Sequence, residues 1–172
     1  EYKAMLSKMS DLHLNHIKLW YLVQHSLSSY RKLIAHFQSA EHAVSTENLP
    51  RWSEIKIHKS HIERALNFNT HSEQALFEKC LEKVKQHSDF ILLDIEESYP
   101  KQLLHYADRP PILFGLGHYQ HLSQPQVAIV GSRKPSPHGQ QVAYDFGFYL
   151  SEKGFFIISG LAQGIDEAAH LG

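Results

Sequence analysis

Cysteine is almost absent from this sequence, which has Cys80 alone among 172 residues. A disulfide framework and a cysteine-rich zinc site are therefore excluded, and a reducing compartment fits. No apolar run approaches the length of a membrane span, and no signal-peptide pattern is present. The sequence predicts a soluble cytoplasmic protein without membrane insertion.

A charge excess of either sign is also missing, because 17 Lys and Arg residues stand against 18 Asp and Glu residues, for a formal net charge of -1. Any nucleic-acid footprint must therefore be a local patch rather than a global field. The chain is 42% hydrophobic and contains 9 Phe, 8 Tyr and 2 Trp, which indicates a globular protein. Its length is enough for one domain or two small ones.

The common motifs of nucleotide binding and catalysis are missing as well. There is no G-x-x-x-x-G-K-[ST] loop and no G-x-S-x-G elbow, and Gly115-Leu116-Gly117 lacks both a third glycine and a following helical pattern. With 14 histidines in the chain, H-x-x-H pairs are expected to arise by chance. Ordinary surface or core positions, rather than metal binding, are therefore predicted for the three pairs. No catalytic residue, metal site or cofactor is predicted. The three pairs are His13 and His16, His58 and His61, and His118 and His121.

Helical patterns dominate the first 88 residues. They predict that residues 1–88 form a domain that is a small bundle of short helices. The segment that starts at Leu14 is apolar nearly all round, which is typical of a buried helix. Ser28 or Ser29 is expected to cap the second helix, Ser39 a short third one, and Thr70 the last.

The pattern changes near Asp89, which predicts a second domain over residues 89–172. Between its last two strands, Ser136 is expected to cap a helix that has Pro137 in its first turn and Gly154 at its end. A strand, a helix and a strand in this order form a βαβ unit of a parallel sheet. The predicted fold class is α/β, with the third strand buried on both faces. The four strands are predicted at residues 90–93, 112–114, 127–130 and 156–158.

Two loops rich in glycine and serine follow the last two predicted strands: Gly131-Ser132-Arg133-Lys134 and Ser159-Gly160. Ligands of parallel α/β sheets bind outside the carboxyl ends of the strands, so both loops are expected to face one crevice. Glycines allow close backbone approach, free N–H groups attract anions, and the cations and hydroxyls add donors. The residues indicate a phosphate-binding crevice. The alternative is that they only build tight turns and that Arg133 is solvated.

The same loops carry a specific resemblance to a known family. VAIVGSRKPSPHGQQVA and FIISGLAQGIDEAAHLG resemble the G-S-R-x-P-S-x-x-G and S-G-L-A-x-G-I-D-x-x-A-H motifs of the DNA-processing protein A family, also called Smf. The upstream YPKQLLHYADRPPILFGLG is similar to the family's lead-in, and LWYLVQHSLSSYRKLIAHFQSAEHAV is similar to its sterile-alpha-motif-like (SAM-like) helical domain. The resemblance touches most of the chain.

The resemblance implies a SAM-like helical domain followed by a Rossmann-like domain, and a DNA-binding protein rather than an enzyme. Family members bind single-stranded DNA, protect strands taken up in natural transformation and help to load RecA recombinase onto them. By motif, the DNA-contacting residues here would be Gly131, Ser132, Arg133, Ser159 and Gly160. The set extends to Lys134 and to Gln163, which stands where many relatives carry arginine.

The resemblance also implies that more of the domain exists in the family than in this chain. The family's Rossmann-like domain continues with further strands, DNA contacts and a dimer surface. The chain is therefore expected to hold the first half of the domain, truncated at an unfinished sheet, and to form a homodimer at full length.

Two other functions stay open. A Rossmann-type nucleotide hydrolase would use the same crevice, and Asp166 is the carboxylate available in these motifs, although the first turn of a helix also suits it as a structural residue. Alternatively, the helical domain would act as a protein-interaction module. Tyr119, Tyr144 and Phe155 are candidate stacking platforms for bases, with core packing the expected role of each.

Overall fold

The computed structural model describes residues 9–172. The chain divides into two compact units, of which the first ends at Tyr119 and the second spans Gln120–Gly172. The helical prediction for residues 1–8 lies outside the described residues. No helix within residues 9–172 combines the length and the apolar composition that crossing a bilayer requires.

The first unit contains five α-helices and one long 3-10 helix among its described residues. Ser39 and Thr70 cap their helices as predicted, with hydroxyls that accept from the amides of His42 and Glu73. The helices are α1 (Asp11–Leu22), α2 (Leu27–Phe37), α3 (Ala40–Ala43), α4 (Lys59–Asn67) and α5 (His71–His87), and the 3-10 helix is Leu49–Glu54.

The predicted cap of α2 at Ser28 or Ser29 is wrong. The cap is Ser26, whose hydroxyl accepts a hydrogen bond from the amide of Ser29. Gln24 and His25 both adopt positive φ angles, 51° and 61°, which reverse the chain directly after α1. The new helix therefore begins two or three residues earlier than the sequence pattern predicts.

The core of the first unit joins helices and strands. Leu19, Leu33 and Trp52 are fully buried, and the Trp52 Nε1–H donates to the Ala43 carbonyl at 2.8 Å. Strands β1 (Phe90–Leu93) and β2 (Ile112–Gly115) form an antiparallel pair in which Leu93 lies opposite Ile112. Ile91, Leu93 and Ile112 belong to the same hydrophobic cluster as the helices.

The compact units therefore divide at a different place from the sequence patterns. The antiparallel pair packs with the helical core, and the first unit continues past both strands to Tyr119. The predicted boundary between domains 1–88 and 89–172 marks a change of sequence pattern rather than of packing, and it stays a prediction.

A buried histidine lies among the apolar side chains of the first unit. His16 is 4% exposed, and its Nδ1 contacts the hydroxyl of Tyr30. Burial lowers the pKa of His16, and His13 lowers it further, while Asp94 and Glu96 oppose the change. Burial also raises the pKa of Tyr30, so the Tyr30 O–H donates and a neutral imidazole accepts.

Acidification is expected to destabilise the first unit through His16. The folded-state pKa lies below the unfolded value of 6.5, so the unfolded chain binds the proton first and stability falls as the pH drops through 6.5. The slope contributed is at most about 1.4 kcal/mol per pH unit. Urea denaturation from pH 7.5 to 5.5, followed by tryptophan fluorescence, measures it. His16→Gln should flatten the profile relative to the exposed control His36→Gln, and identical profiles for the two variants would contradict the assignment.

The second unit is the predicted βαβ arrangement followed by one more helix. Strand β3 (Gln126–Ala128) pairs with β4 (Phe156–Ile158) in parallel, and Val127 lies opposite Ile157. Between them runs α6 (Pro137–Glu152), whose cap is Ser136 and whose first residue is Pro137, as predicted. After β4 comes α7 (Ile165–Leu171).

The third strand is shorter and more exposed than the sequence predicts. It ends at Ala128 rather than Val130, and Val130 is 67% exposed. An open apolar groove of about 580 Å³ runs along β3 and α6, with Val127, Val142 and Phe146 in its lining. The expectation that both faces of this strand are covered is wrong for this structure. Within the described residues, the groove along β3 is open and Val130, just after the strand, is exposed.

Candidate nucleic-acid interface

Both predicted loops begin at the same edge of the parallel sheet. Because β3 and β4 are adjacent and parallel, Gly131–Lys134 and Ser159–Gln163 leave the sheet side by side. In the first loop, all four residues are exposed, and in the second Gly160 and Gln163 are exposed while Ser159 is half-buried. The structure thus brings the predicted site residues to one edge.

A single buried carboxylate ties the two loops together. Asp166, 6% exposed in the first turn of α7, accepts from the Gly131 amide through Oδ1 at 3.2 Å. Its Oδ2 accepts from the Gly160 amide at 3.0 Å. The glycine amides that the sequence offers to a phosphate are therefore engaged within the protein, and these two glycines shape the loops rather than present free donors.

Gly164 allows the loops to approach each other closely. Its φ is 98°, and a Cβ on this residue would lie 2.3 Å from the Ser132 carbonyl oxygen. The next amide, that of Ile165, donates to the same Ser132 oxygen at 3.1 Å. A side chain at position 164 would need both a left-handed backbone and the space that the Ser132 peptide occupies, so glycine is required here.

Each loop is further closed by the hydroxyl of its own serine. Ser132 Oγ accepts from the Lys134 amide at 3.1 Å, and Ser159 Oγ accepts from the Leu161 amide at 3.0 Å. His170 Nε2 lies 2.8 Å from Ser159 Oγ. His170 was not among the site residues predicted from the sequence, although its spacing of four residues from Asp166 places the two on one face of α7.

Cations and backbone amides remain available at the edge. Arg133 and Lys134 are exposed, and within residues 9–172 neither makes an ion pair. The amides of Ser132, Arg133 and Gln163 donate to no protein group in the described part of the chain. A planar guanidinium beside exposed N–H groups is suited to bind the oxygens of a phosphate.

The three rings that the sequence offers as stacking platforms are only partly covered. Tyr144 is 42% exposed and Phe155 is 38% exposed, so the core packing expected of them is wrong for these two. Tyr119, in the first unit, contacts Phe90 edge to face. In the described residues, no three histidine, cysteine or acidic side chains are grouped to hold a metal ion.

The segment that contains this edge is similar in sequence to known proteins. Residues 90–172 match the family model of DNA recombination-mediator protein A. Protein Smf of Synechocystis is 37% identical over 94 residues, which cover 52% of this chain and 24% of that protein. Protein Smf of Escherichia coli is 45% identical over 74 residues, which cover 43% of this chain and 20% of that protein.

A solved structure shares the fold over nearly the whole chain. The crystal structure of DNA processing protein A from Streptococcus pneumoniae matches with a TM-score of 0.64 and 24% identity, covering 95% of this chain and 53% of that one. The chain thus spans about half of that solved chain and about a quarter of the curated relatives. Residues 90–172 are therefore similar to the family of DNA recombination-mediator protein A, and the relatives that match this part of the chain are named Smf or DprA.

Proposed function

We propose that this protein binds single-stranded DNA, protects strands taken up in natural transformation and helps to load RecA recombinase onto them. The observation that carries the proposal is the shared sheet edge, where Arg133 and Lys134 are exposed beside amides that have no partner in the described part of the chain. The family match of residues 90–172 to a recombination mediator supports it, as do relatives named for DNA processing in Bacillus subtilis and Streptococcus pneumoniae.

The chemistry of the edge favours backbone contacts over base contacts. Guanidinium and amide groups bind phosphate oxygens, which are the same at every nucleotide, so little base preference follows. A single strand can bend to place successive phosphates on two adjacent loops, and its unpaired bases are free to stack on exposed rings such as Tyr144. Because the net charge of the chain is only -1, electrostatic attraction to DNA must come from a local patch, and Arg133 and Lys134 supply one at this edge.

Arg133→Ala is expected to weaken single-strand binding by about 1–3 kcal/mol, the value of a charge-assisted hydrogen bond. The slope of log affinity against log salt should fall by about 0.7, which is one lost phosphate contact on a single strand. The melting temperature should barely change because the side chain is exposed. Binding isotherms at several salt concentrations, with the protein expressed from its complete reading frame, measure both quantities.

Lys153→Ala is the matched control for Arg133→Ala. Lys153 follows the carboxyl end of α6, at the opposite end of that helix from the two loops, and its loss removes the same charge. The control should leave the affinity and the salt slope within error of the wild type. Equal effects of the two variants would mean that Arg133 acts only through net charge, and no effect of either would mean that Arg133 is a solvated turn residue.

The partners beyond DNA are part of the same proposal and rest on the family resemblance. They are RecA recombinase and, for the complete protein, a second copy of itself in a homodimer in the cytoplasm. A pull-down of purified RecA, with and without single-stranded DNA, tests the first. Sedimentation equilibrium of the complete protein tests the second.

One observation favours hydrolysis of a nucleotide as a second candidate function. Ser159 Oγ and His170 Nε2 are 2.8 Å apart, which is the distance of a nucleophile from its base. Asp166 is badly placed as a base because both of its oxygens accept from backbone amides. Release of phosphate from nucleoside triphosphates, abolished by His170→Ala, would establish the hydrolase, and no release above the rate of that variant would exclude it.

A further inference from the structure

We infer that Asp166 is a positioning residue for single-strand binding: its carboxylate sets the spacing of the two loops whose other groups contact the phosphates. The inference rests on the proposed function and assigns Asp166 a place in it. No contact of Asp166 with DNA is involved.

The geometry of Asp166 is that of a clip between the loops. Its two oxygens accept from two amides that belong to different βα loops, Gly131 at 3.2 Å and Gly160 at 3.0 Å. Carboxylates are the side chains that offer two equivalent acceptors without a donor, so one residue satisfies both N–H groups. The residue is only 6% exposed, which limits competition from water for these two bonds.

The clip acts directly beside the groups that are offered to phosphate. Gly131 is followed by Ser132 and Arg133, whose amides donate to no protein group within residues 9–172, and Gly160 stands next to Ser159. A shift of either glycine therefore moves these neighbours by a similar amount. Since charge-assisted hydrogen bonds weaken over a few tenths of an ångström and with misalignment, a loosened clip lowers affinity without removing any contacting group.

Burying a carboxylate beside an anion site has a cost that the two glycine amides offset. The negative charge of Asp166 repels a nearby phosphate. The same carboxylate also occupies the Gly131 and Gly160 amides, so these amides cannot donate to the phosphate. If the amides were meant for the phosphate, removing the charge of Asp166 would free them and strengthen binding. The positioning role predicts the opposite sign, which makes it testable with one isosteric substitution.

Asp166→Asn is that substitution, with Glu167→Gln as its matched control. The asparagine NH₂ is a donor and cannot accept from a second amide, whereas Glu167 is an exposed neighbour with the same charge change. We expect amide hydrogen exchange at Gly131 or Gly160 to quicken at least about tenfold in Asp166→Asn. Affinity for oligo-dT should fall about fivefold, because the misaligned phosphate contacts of the two loops together lose about the net value of one hydrogen bond. Glu167→Gln should show neither effect.

The outcomes separate the inference from the proposed function. Oligo-dT binding by Asp166→Asn that equals or exceeds that of Glu167→Gln would overturn the positioning role, and so would unchanged exchange at both glycines. If the wild type binds no single strand, the proposed function fails together with the positioning role, while the exchange data still decide whether Asp166 ties the loops.

Amide hydrogen exchange of the wild type, with and without oligo-dT, tests the inference even if the Asp166→Asn variant does not fold. The glycine amides should stay slow to exchange when oligo-dT is added, because they remain on Asp166. The amides of Ser132 and Arg133 should become slower to exchange. Loss of protection at Gly131 and Gly160 on binding would show that they leave the carboxylate, which overturns the inference.

Discussion

Replacing Gly164 by alanine should lower the free energy of unfolding of the second unit by about 2–4 kcal/mol and weaken single-strand binding at least about tenfold. The φ of 98° is unfavourable for any residue with a Cβ, and that Cβ would lie 2.3 Å from the Ser132 carbonyl oxygen and 3.0 Å from the Arg133 carbonyl carbon. The first loop must therefore move away from the second. Hydrogen exchange of amides in α6 measures the stability, and binding to oligo-dT measures the function.

Gly154→Ala separates the two causes of that effect. Gly154 also has a positive φ, 84°, but nothing lies within 4 Å of a Cβ built on it. This variant pays the backbone cost of about 1 kcal/mol and no steric cost, and it should bind DNA as the wild type does. Equal losses of affinity in both variants would show that the close approach of Gly164 to Ser132 does not matter for binding.

Trp52→Ala should remove about 3–5 kcal/mol of stability from the first unit, a large part of what a domain of this size has. The indole is fully buried, and its Nε1–H donates to the Ala43 carbonyl at 2.8 Å. The substitution leaves a cavity and an unsatisfied carbonyl near the end of α3. Urea denaturation followed by far-ultraviolet circular dichroism measures the loss.

Leu66→Ala is the control for core burial. Leu66 is 53% exposed on α4, so its loss should change the unfolding free energy by less than about 1 kcal/mol. If Trp52→Ala cost no more than Leu66→Ala, the packing around Trp52 described above would be wrong.

Helix starts could be predicted from the sequence where local chemistry alone decides them. Ser39, Thr70 and Ser136 cap helices because a hydroxyl bonds to an amide three residues ahead, which needs no distant partner. The start of α2 could not be predicted in this way. It depends on the left-handed backbone of Gln24 and His25, residues whose types do not demand that conformation.

Strand positions could be predicted, but strand burial could not. The apolar runs locate β3 and β4, and their separation by a helix predicts the parallel pairing that the structure has. Burial depends on what packs against the far face, which the strand's own residues do not encode. Val130 is apolar by sequence and 67% exposed in the structure.

The location of the candidate site could be predicted from the sequence, but the hydrogen bonds within it could not. Two loops at the carboxyl ends of adjacent parallel strands follow from the order of elements. The bonds from Asp166 to Gly131 and Gly160, and the pairing of His170 with Ser159, depend on how α7 is turned toward the loops. The spacing of four residues between Asp166 and His170, directly after a glycine-rich loop, is the sequence signal that could have found them.

A comparison of single-stranded and duplex DNA as competitors tests the central claim most directly. Competition binding is measured at physiological salt with the protein from its complete reading frame, a labelled oligo-dT, and unlabelled single-stranded and duplex competitors of equal length and mixed sequence. Phosphate contacts from two adjacent loops predict that the single strand competes at lower concentration than the duplex, with little dependence on base composition. Equal or stronger competition by the duplex would contradict the account.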